Sequence, residues 1–330
     1  MENVSLDFTV AIPTYNGESR LPKVLEHLRG QTEVENIKWE VIVIDNNSND
    51  KTAEVIREYQ KSWNHDFPLK YFLEKNQGIT YARVRAICEA KGKLIGFIDD
   101  DIHPASHWVK EAFIFGKEHP QAGAWGGQIH GNFEVEPPEN FTRIKSFFAI
   151  RERGSEPHLY DPVNLSLPPG AALVFRQEAW QKSIPKQLIF KGRLGKLKLA
   201  GDDFELLLHL HKSGWEIWYN PAMHTYHQIP QWRLERNYLV TLARGCGLCV
   251  CQLRFINTNN WLKPIIFIKI FLGGLRRMLR HIIKYKVKFK NDVIENFEFE
   301  FYLSSTISPF YTLISCITEY LINILKFNYE

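Results

Sequence analysis

Carboxylates recur where short apolar runs stop, and no other residues in the sequence are better placed to do chemistry. Asp99, Asp100 and Asp101 directly follow the apolar run 94–98, Asp45 follows 41–44, and Asp202 and Asp203 open an apolar helical pattern much later. Side chains alternate along an extended backbone, so Asp99 and Asp101 are expected on one side and Asp100 on the other. Two carboxylates on one side attract a hard divalent cation. Mn2+ or Mg2+ takes oxygen ligands, bridges phosphate oxygens and neutralises charge growing on a leaving group. An isolated acidic triplet after a strand is more often a solvated loop; Asp45 at a neighbouring strand end and the second acidic pair shift the balance towards a site. Asp at a helix start commonly serves as a cap. The field of the same helix would also hold Asp203 ionised as a proton acceptor.

The elements that must position these groups are legible from periodicity. Residues 8–12 read as a first strand, broken by Pro13 and the turn formers Asn16 and Gly17, after which Leu21, Val24, Leu25 and Leu28 recur at helical spacing up to Gly30. Residues 41–44 form a second buried strand, and the polar turn 46–49 leads into a helix over 52–60. A helix through Tyr81, Arg85 and Cys88 delivers the chain to a third strand at 94–98. Further on come a strand containing Gly126 and Gly127, a strand at 170–175, a helix at 204–211 and a returning strand at 215–219. This alternation predicts an α/β fold, a mostly parallel open sheet with helices on both faces, whose ligands sit beyond the carboxyl ends of the strands.

A chain of 330 residues, 45% hydrophobic and 24% charged, can bury a full core and is long for one compact unit. The expected division is a catalytic domain over 1–235 and a helical, basic and apolar extension over 236–330. A net charge of +4 does not call for nucleic acid. Basic residues crowd together at Arg276, Arg277, Arg280, Lys284, Lys286, Lys288 and Lys290. Residues 261–283 mix Lys263, Lys269 and three of these arginines with apolar residues. That pattern suits either a helix lying on an anionic membrane surface or an amphipathic pair packed on the catalytic domain. Residues 301–318 lack charge and reach the lower limit for a spanning helix, although Ser, Thr and Pro309 interrupt them. The start, MENVSLDFTV, shows no secretory signal, and five cysteines do not make a disulfide framework, so a cytoplasmic location is expected. Cys246, Cys249 and Cys251 have no second Cys or His pair nearby to complete a zinc set, which favours small apolar packing on a helix.

The segments TVAIPTYN, VIVIDNNSNDKT, the NQG and AR of NQGITYARVRA, FIDDD, PPGAALVFR, GDDFE and GWEIWYNPAMHTYH occur in this order between about residues 7 and 235. Together they resemble the family 2 glycosyltransferases of the GT-A fold. Through GGQIHGNFEVEPPENF and GWEIWYNPAMHTYHQIP the sequence is also similar to the cyanobacterial hormogonium polysaccharide glycosyltransferases. The resemblance implies a nucleotide-diphosphate sugar donor, a glycan or lipid-linked acceptor, and a bound Mn2+ or Mg2+. It places Thr14, Tyr15 and Asn16 in the base and ribose pocket, Asp45 on the nucleobase, and Arg83 beside the base or diphosphate. Asp99 and Asp101 match the two acids of the DxD motif, with Asp100 between them, and His227 completes the metal or diphosphate site. Asp203 matches the general base, preceded by Asp202 where the family more often has Glu. Trp108 and Gly170 are assigned to the acceptor side, and Trp108, Trp180 and Trp215 offer flat faces for a sugar ring. A single base without a partner nucleophile implies direct displacement with inversion. Two alternatives stay open: a non-catalytic nucleotide-sugar or glycan-binding module, and a nucleotidyltransferase. The first could lack Asp203. The second usually needs a basic Gly-rich loop after the first strand, and PTYNGES carries no Lys or Arg before Arg20.

Overall fold

The computed structural model describes residues 6–63, 67–193, 195, 197–286 and 291–327. The chain divides into two compact units, Met1–Glu136 with Lys145–Gly192 and Asp202–Gln231, and Pro137–Ile144 with Arg193–Gly201 and Trp232–Glu330. Two short excursions of the chain thus join the later helices.

The first unit runs β1 (Leu6–Thr14), α1 (Leu21–Arg29), β2 (Trp39–Asp45), α2 (Thr52–Ser62), β3 (Leu69–Leu73), α3 (Ile79–Glu89), β4 (Gly92–Ile98), β5 (Ile102–Pro104), α4 (Trp108–Glu118), β6 (Ala122–Phe133), β7 (His158–Leu159), β8 (Ala172–Arg176), α5 (Gln177–Ser183), α6 (Asp202–Lys212) and β9 (Glu216–Ile229). The sheet order is β3-β2-β1-β4-β8-β6-β9-β5, with β7 on β9. β1 pairs in parallel with both β2 and β4, and β2 with β3, so strand order reverses around β1 and opens a crevice at the carboxyl ends. The fold class expected from the sequence is therefore present, in mixed form: β8 is antiparallel to both β4 and β6, while β6 and β9 are parallel. β1 and β2 are buried on both faces because helices cover them, and their residues read as unbroken apolar runs for that reason.

Three differences from the sequence reading bear on the site. β3 lies between the expected second and third strands. The strand placed at 170–175 begins at Ala172, leaving Gly170 in the approach loop. The strand placed at 215–219 extends to Ile229 and carries His224 and His227. The antiparallel return of β8 has a direct consequence: the Asp99 N–H donates to the Ala171 carbonyl at 3.0 Å, which brings the end of β4 beside Gly170.

The second unit contains α7 (Arg236–Ile256), α8 (Lys263–Tyr285) and α9 (Val293–Phe327). α9 continues through Pro309, and the hydroxyls of Ser305 and Thr306 turn back onto the carbonyls of Phe301 and Tyr302. Small residues let the helices approach closely: a Cβ on Gly247 would meet Ser304 at 2.6 Å, and one on Gly274 would meet Thr306 at 2.6 Å. Cys249 and Cys251 are buried in α7, where the Cys249 thiol donates to the Gly245 carbonyl; all five cysteines are free. Among the described residues one helix, α7, is long and apolar enough to cross a membrane, and half of that stretch is buried within the protein. Residues 301–318, read above as a candidate span, form the middle of α9, with Ser304, Ser305, Thr306, Ser308 and Thr312 buried. Residues 1–5 and the basic residues Lys288 and Lys290 lie outside the described residues.

Candidate active site

The loops at the ends of β1 and β2 are tied into one rim. The Asn46 N–H donates to the Thr14 carbonyl at 2.8 Å, and the Asn46 side chain accepts from the Gly78 N–H at 2.7 Å while donating to the Asn76 carbonyl at 2.6 Å. Gly78 sits at φ 131°, a conformation L side chains rarely adopt, which gives the NQG motif its glycine. Asn16 is also left-handed, at φ 49°; its backbone N–H donates to Ser48 Oγ, and its side chain accepts from the Asn49 N–H. The Tyr15 ring is exposed at the rim, whereas Thr14 is buried and donates to Asp100 at 2.6 Å. Asp45 is buried and accepts from the Ser48 N–H at 2.9 Å and the Tyr71 hydroxyl at 2.8 Å, so each oxygen keeps one lone pair for a ligand donor. Burial and that bond push the Tyr71 hydroxyl up to about 12, so it stays a donor at neutral pH.

The three consecutive acids do not alternate as a strand would dictate. β4 stops at Ile98, and the Ile102 N–H closes a turn on the Asp99 carbonyl at 3.0 Å, so the acids fan out to three different partners. Asp99 faces Arg83 at 3.7 Å, Asp100 is gripped by Arg20 through two bonds of 2.9 Å, and Asp101 faces His227 at 3.5 Å. The expectation that Asp99 and Asp101 share one side is corrected by this turn.

Arg83 is the hub of the site. It is buried, it pairs with Asp202 at 2.7 Å and with Asp203, and it reaches towards Asp99. Burial alone would lower its affinity for a proton; Asp203, Asp202 and Asp99 more than reverse that and hold the guanidinium charged. Asp203 also accepts from the Gly170 N–H at 2.8 Å. This cluster joins α3, the end of β4, the loop before β8 and the start of α6, elements separated by up to 120 residues. Burial and the neighbouring carboxylates push Asp99 up to about 8 in spite of Arg83, and its Oδ1 is buried without a hydrogen-bond partner. Such a carboxyl ionises when a cation arrives beside it.

The His227 ring is fixed by a backbone bond. Its Nδ1 lies 2.8 Å from the Phe148 carbonyl and donates to it, which leaves Nε2 as the basic nitrogen facing Asp101. Asp101 and His227 are a donor pair of a kind that suits Mn2+ or Mg2+. Among the described residues no group of three or more His, Cys, Asp or Glu side chains is gathered as a metal cage. The remaining positions around such an ion would fall to ligand oxygens and water, the usual mode for Mg2+.

Gly170 belongs to the cluster for a steric reason. A Cβ there would overlap the Asp203 carboxylate and stand 2.6 Å from Arg83 Nη2. Gly170→Ala is therefore expected to cost about 1–3 kcal/mol of stability by overpacking and to lower turnover about a hundredfold by moving Asp203. Thermal melts and initial rates on the same preparation check both effects; unchanged values for both would remove Gly170 from the site.

Trp108, expected on the acceptor side, is instead fully buried. It opens α4 facing the sheet, where it meets Phe8 edge-on at 6.0 Å in the space left by Gly96. Trp180 is likewise buried, against Phe97 and Phe175. Tyr71 and Arg20 join the site without any sequence motif to mark them. Tyr71 comes from the unexpected β3, and the contact of Arg20 with Asp100 is long-range.

A family profile described as Glycosyl transferase family 2 matches residues 9–182. Glycosyltransferase AglE of Haloferax volcanii is 29% identical over 163 residues, 48% of this chain and 51% of that protein, so the chain spans about half the length of this relative. A Methanococcus voltae protein, dolichyl N-acetyl-alpha-D-glucosaminyl phosphate 3-beta-D-2,3-diacetamido-2,3-dideoxy-beta-D-glucuronosyltransferase, is 24% identical over 270 residues, 80% of each chain. Among solved structures, mannosyltransferase PcManGT from Pyrobaculum calidifontis, in complex with GDP-Man and Mn2+, is similar with a TM-score of 0.58 at 17% identity, covering 91% of this chain and 87% of that one. That likeness is one of fold, and the fold is GT-A.

Proposed function

Because the chain belongs to glycosyl transferase family 2 and is a glycosyltransferase of GT-A fold, we propose that it moves a sugar from a nucleoside diphosphate to an acceptor hydroxyl, with metal assistance and inversion. The single observation carrying this reading is the Arg83 hub, which links the strand-end acid Asp99 to the helix-start acids Asp202 and Asp203. A module that only bound nucleotide sugar would have no use for the second half of that cluster.

The rim formed by Thr14, Tyr15, Asn16 and Asp45 takes the nucleoside. Asp101 and His227 would hold the divalent ion, which when bound supplies positive charge against the diphosphate. Arg83 fixes Asp203 beside Gly170, where the carboxylate accepts the proton of the acceptor hydroxyl as its oxygen attacks the anomeric carbon. With Asp203 as the one base and direct attack by the acceptor oxygen, the proposed stereochemical outcome is inversion. The manganese and GDP-Man bound by PcManGT and the dolichyl-linked substrate in the name of the M. voltae relative support this donor chemistry and a lipid-linked or glycan acceptor. The sequence likeness at residues 126–141 supports a role in exopolysaccharide assembly. The test is nucleoside diphosphate release from UDP-, GDP- and dTDP-sugars with Mn2+ or Mg2+. Turnover with one of these donors is expected; no release from any donor with any acceptor favours the binding module.

We also propose that the second unit rests on the cytoplasmic face of an anionic membrane. On α8, Ile265, Ile268, Leu272, Leu279 and Ile283 form one exposed stripe, opposite the buried Ile270, Gly274 and His281. Exposed Lys269, Arg276 and Arg280 flank the stripe. An apolar stripe edged by cations fits the boundary between acyl chains and acidic headgroups. The protein is expected to float with phosphatidylglycerol vesicles and not with pure phosphatidylcholine. Ile268→Glu with Leu272→Glu is expected to weaken binding at least about tenfold. Wild-type protein that stays in solution at low salt defeats this proposal.

A further inference from the structure

A cavity of about 320 Å3 in the first unit is lined by Lys145, Arg151, Arg153, Glu152, Ser146 and Ser166 among others. Its charges are unbalanced. Glu152 is already engaged, lying 3.0 Å from His130 Nδ1 and 3.1 Å from Lys145 Nζ. Neither Arg151 nor Arg153 has a carboxylate within ion-pair distance among the described residues. Arg153 donates to Ser166 Oγ at 3.0 Å and lies over the Tyr160 ring. Arg151 is held by two backbone carbonyls, Ser146 and Ile150, each at 2.9 Å, and its Nε is buried with no partner. The Tyr160 hydroxyl is buried without a partner as well.

Arg151 is half-buried and its guanidinium is held by carbonyls with no anion among the described residues, and burial lowers its pKa. Arg and Lys side chains in one concavity, with hydroxyls beside them, match the oxygens of a phosphate or a carboxylate.

The walls of the cavity connect to the catalytic cluster through short covalent and hydrogen-bonded paths. The segment 145–153, which supplies six of the lining residues, also contains Phe148, whose carbonyl accepts from His227. The wall at 165–167 ends three residues before Gly170, whose N–H holds Asp203. The donor rim at the ends of β1 and β2 uses neither segment. We propose that this cavity binds an anionic group, a phosphate or a carboxylate, carried by the acceptor, and so selects negatively charged acceptors. The assignment to the acceptor rests on the transfer reading above; the anion site itself does not.

The test is calorimetric titration of phenyl phosphate and phenyl glucuronide, with neutral phenyl glucoside as control, all in the presence of UDP and Mn2+ to occupy the donor side. At least one anion is expected to bind, and its relative strength tells phosphate from carboxylate. Lys145→Ala with Arg153→Ala, at a half-buried and an exposed position, is expected to weaken binding about tenfold or more. Glu152→Gln, which removes the one negative charge of the cavity, is expected to strengthen it. Equal affinity in all three proteins, or phenyl glucoside binding as well as the anions, overturns the site. Absence of nucleoside diphosphate release from every donor would defeat the transferase reading instead, and would leave the titration interpretable.

Discussion

Asp101→Ala is expected to reduce nucleoside diphosphate release by about a thousandfold, or ~4 kcal/mol of barrier, the scale of a metal ion's stabilisation of a leaving diphosphate. The reason is positional. Asp101 faces His227 at 3.5 Å, and the Phe148 carbonyl fixes the tautomer that points a basic nitrogen at it. Asp100, by contrast, is occupied by Arg20 and Thr14 and faces away from this pair. Asp100→Asn should therefore weaken the rim more than the chemistry. The measurement is the rate with Mn2+ and then with excess EDTA: wild type should fall to the level of Asp101→Ala, and the variant should be indifferent to the chelator. Wild type that keeps its full rate in EDTA would show the Asp101 and His227 contact to be structural, and the metal would leave the mechanism.

The parts of this fold legible in the sequence are those written locally. β1, β2 and β4 are covered on both faces, so they appear as continuous apolar runs, and the polar residues that end them mark the crevice. β3 was not visible for the opposite reason. It lies at the sheet edge with Lys70, Tyr71 and Phe72 only partly buried, so it shows neither a run nor a clean alternation. The loss of β3 concealed Tyr71, the group that orients Asp45. Trp108 reads the same in sequence whether it faces in or out. What decides its direction is the space left by Gly96 on another element, a pairing that periodicity does not encode. The directions of Asp99, Asp100 and Asp101 depended on a turn closed by one hydrogen bond, where strand alternation ceases to apply. The Arg83 hub is the extreme case. Asp202 and Asp203 read as helix-start acids, but their shared partner lies about 120 residues earlier, and no local pattern announces that.

This hub shapes what removing the base should do. Asp203→Asn is expected to lower kcat about a thousandfold, within the range for loss of a positioned general base, with little change in donor KM because the nucleoside rim is untouched. Arg83 pairs with both Asp202 and Asp203, so the two acids share one positive charge and the identity of the base must be read from contrast. Asp203 has the additional Gly170 N–H at 2.8 Å, which fixes the carboxylate plane and directs its remaining lone pairs. Asp202 lies at the first position of α6, where an acid stabilises the helix start whatever else it does. Asp202→Asn should then cost stability, about 1 kcal/mol in a thermal melt, and less than tenfold in kcat. Arg83→Lys keeps the charge but loses the planar fork, so both acids should lose their alignment and kcat should fall without abolishing donor binding. If Asp202→Asn carries the large kcat loss and Asp203→Asn the small one, the roles are exchanged and Gly170 serves to hold a structural acid. If neither substitution changes kcat, proton removal does not limit transfer and the hub is a scaffold for Asp99 alone.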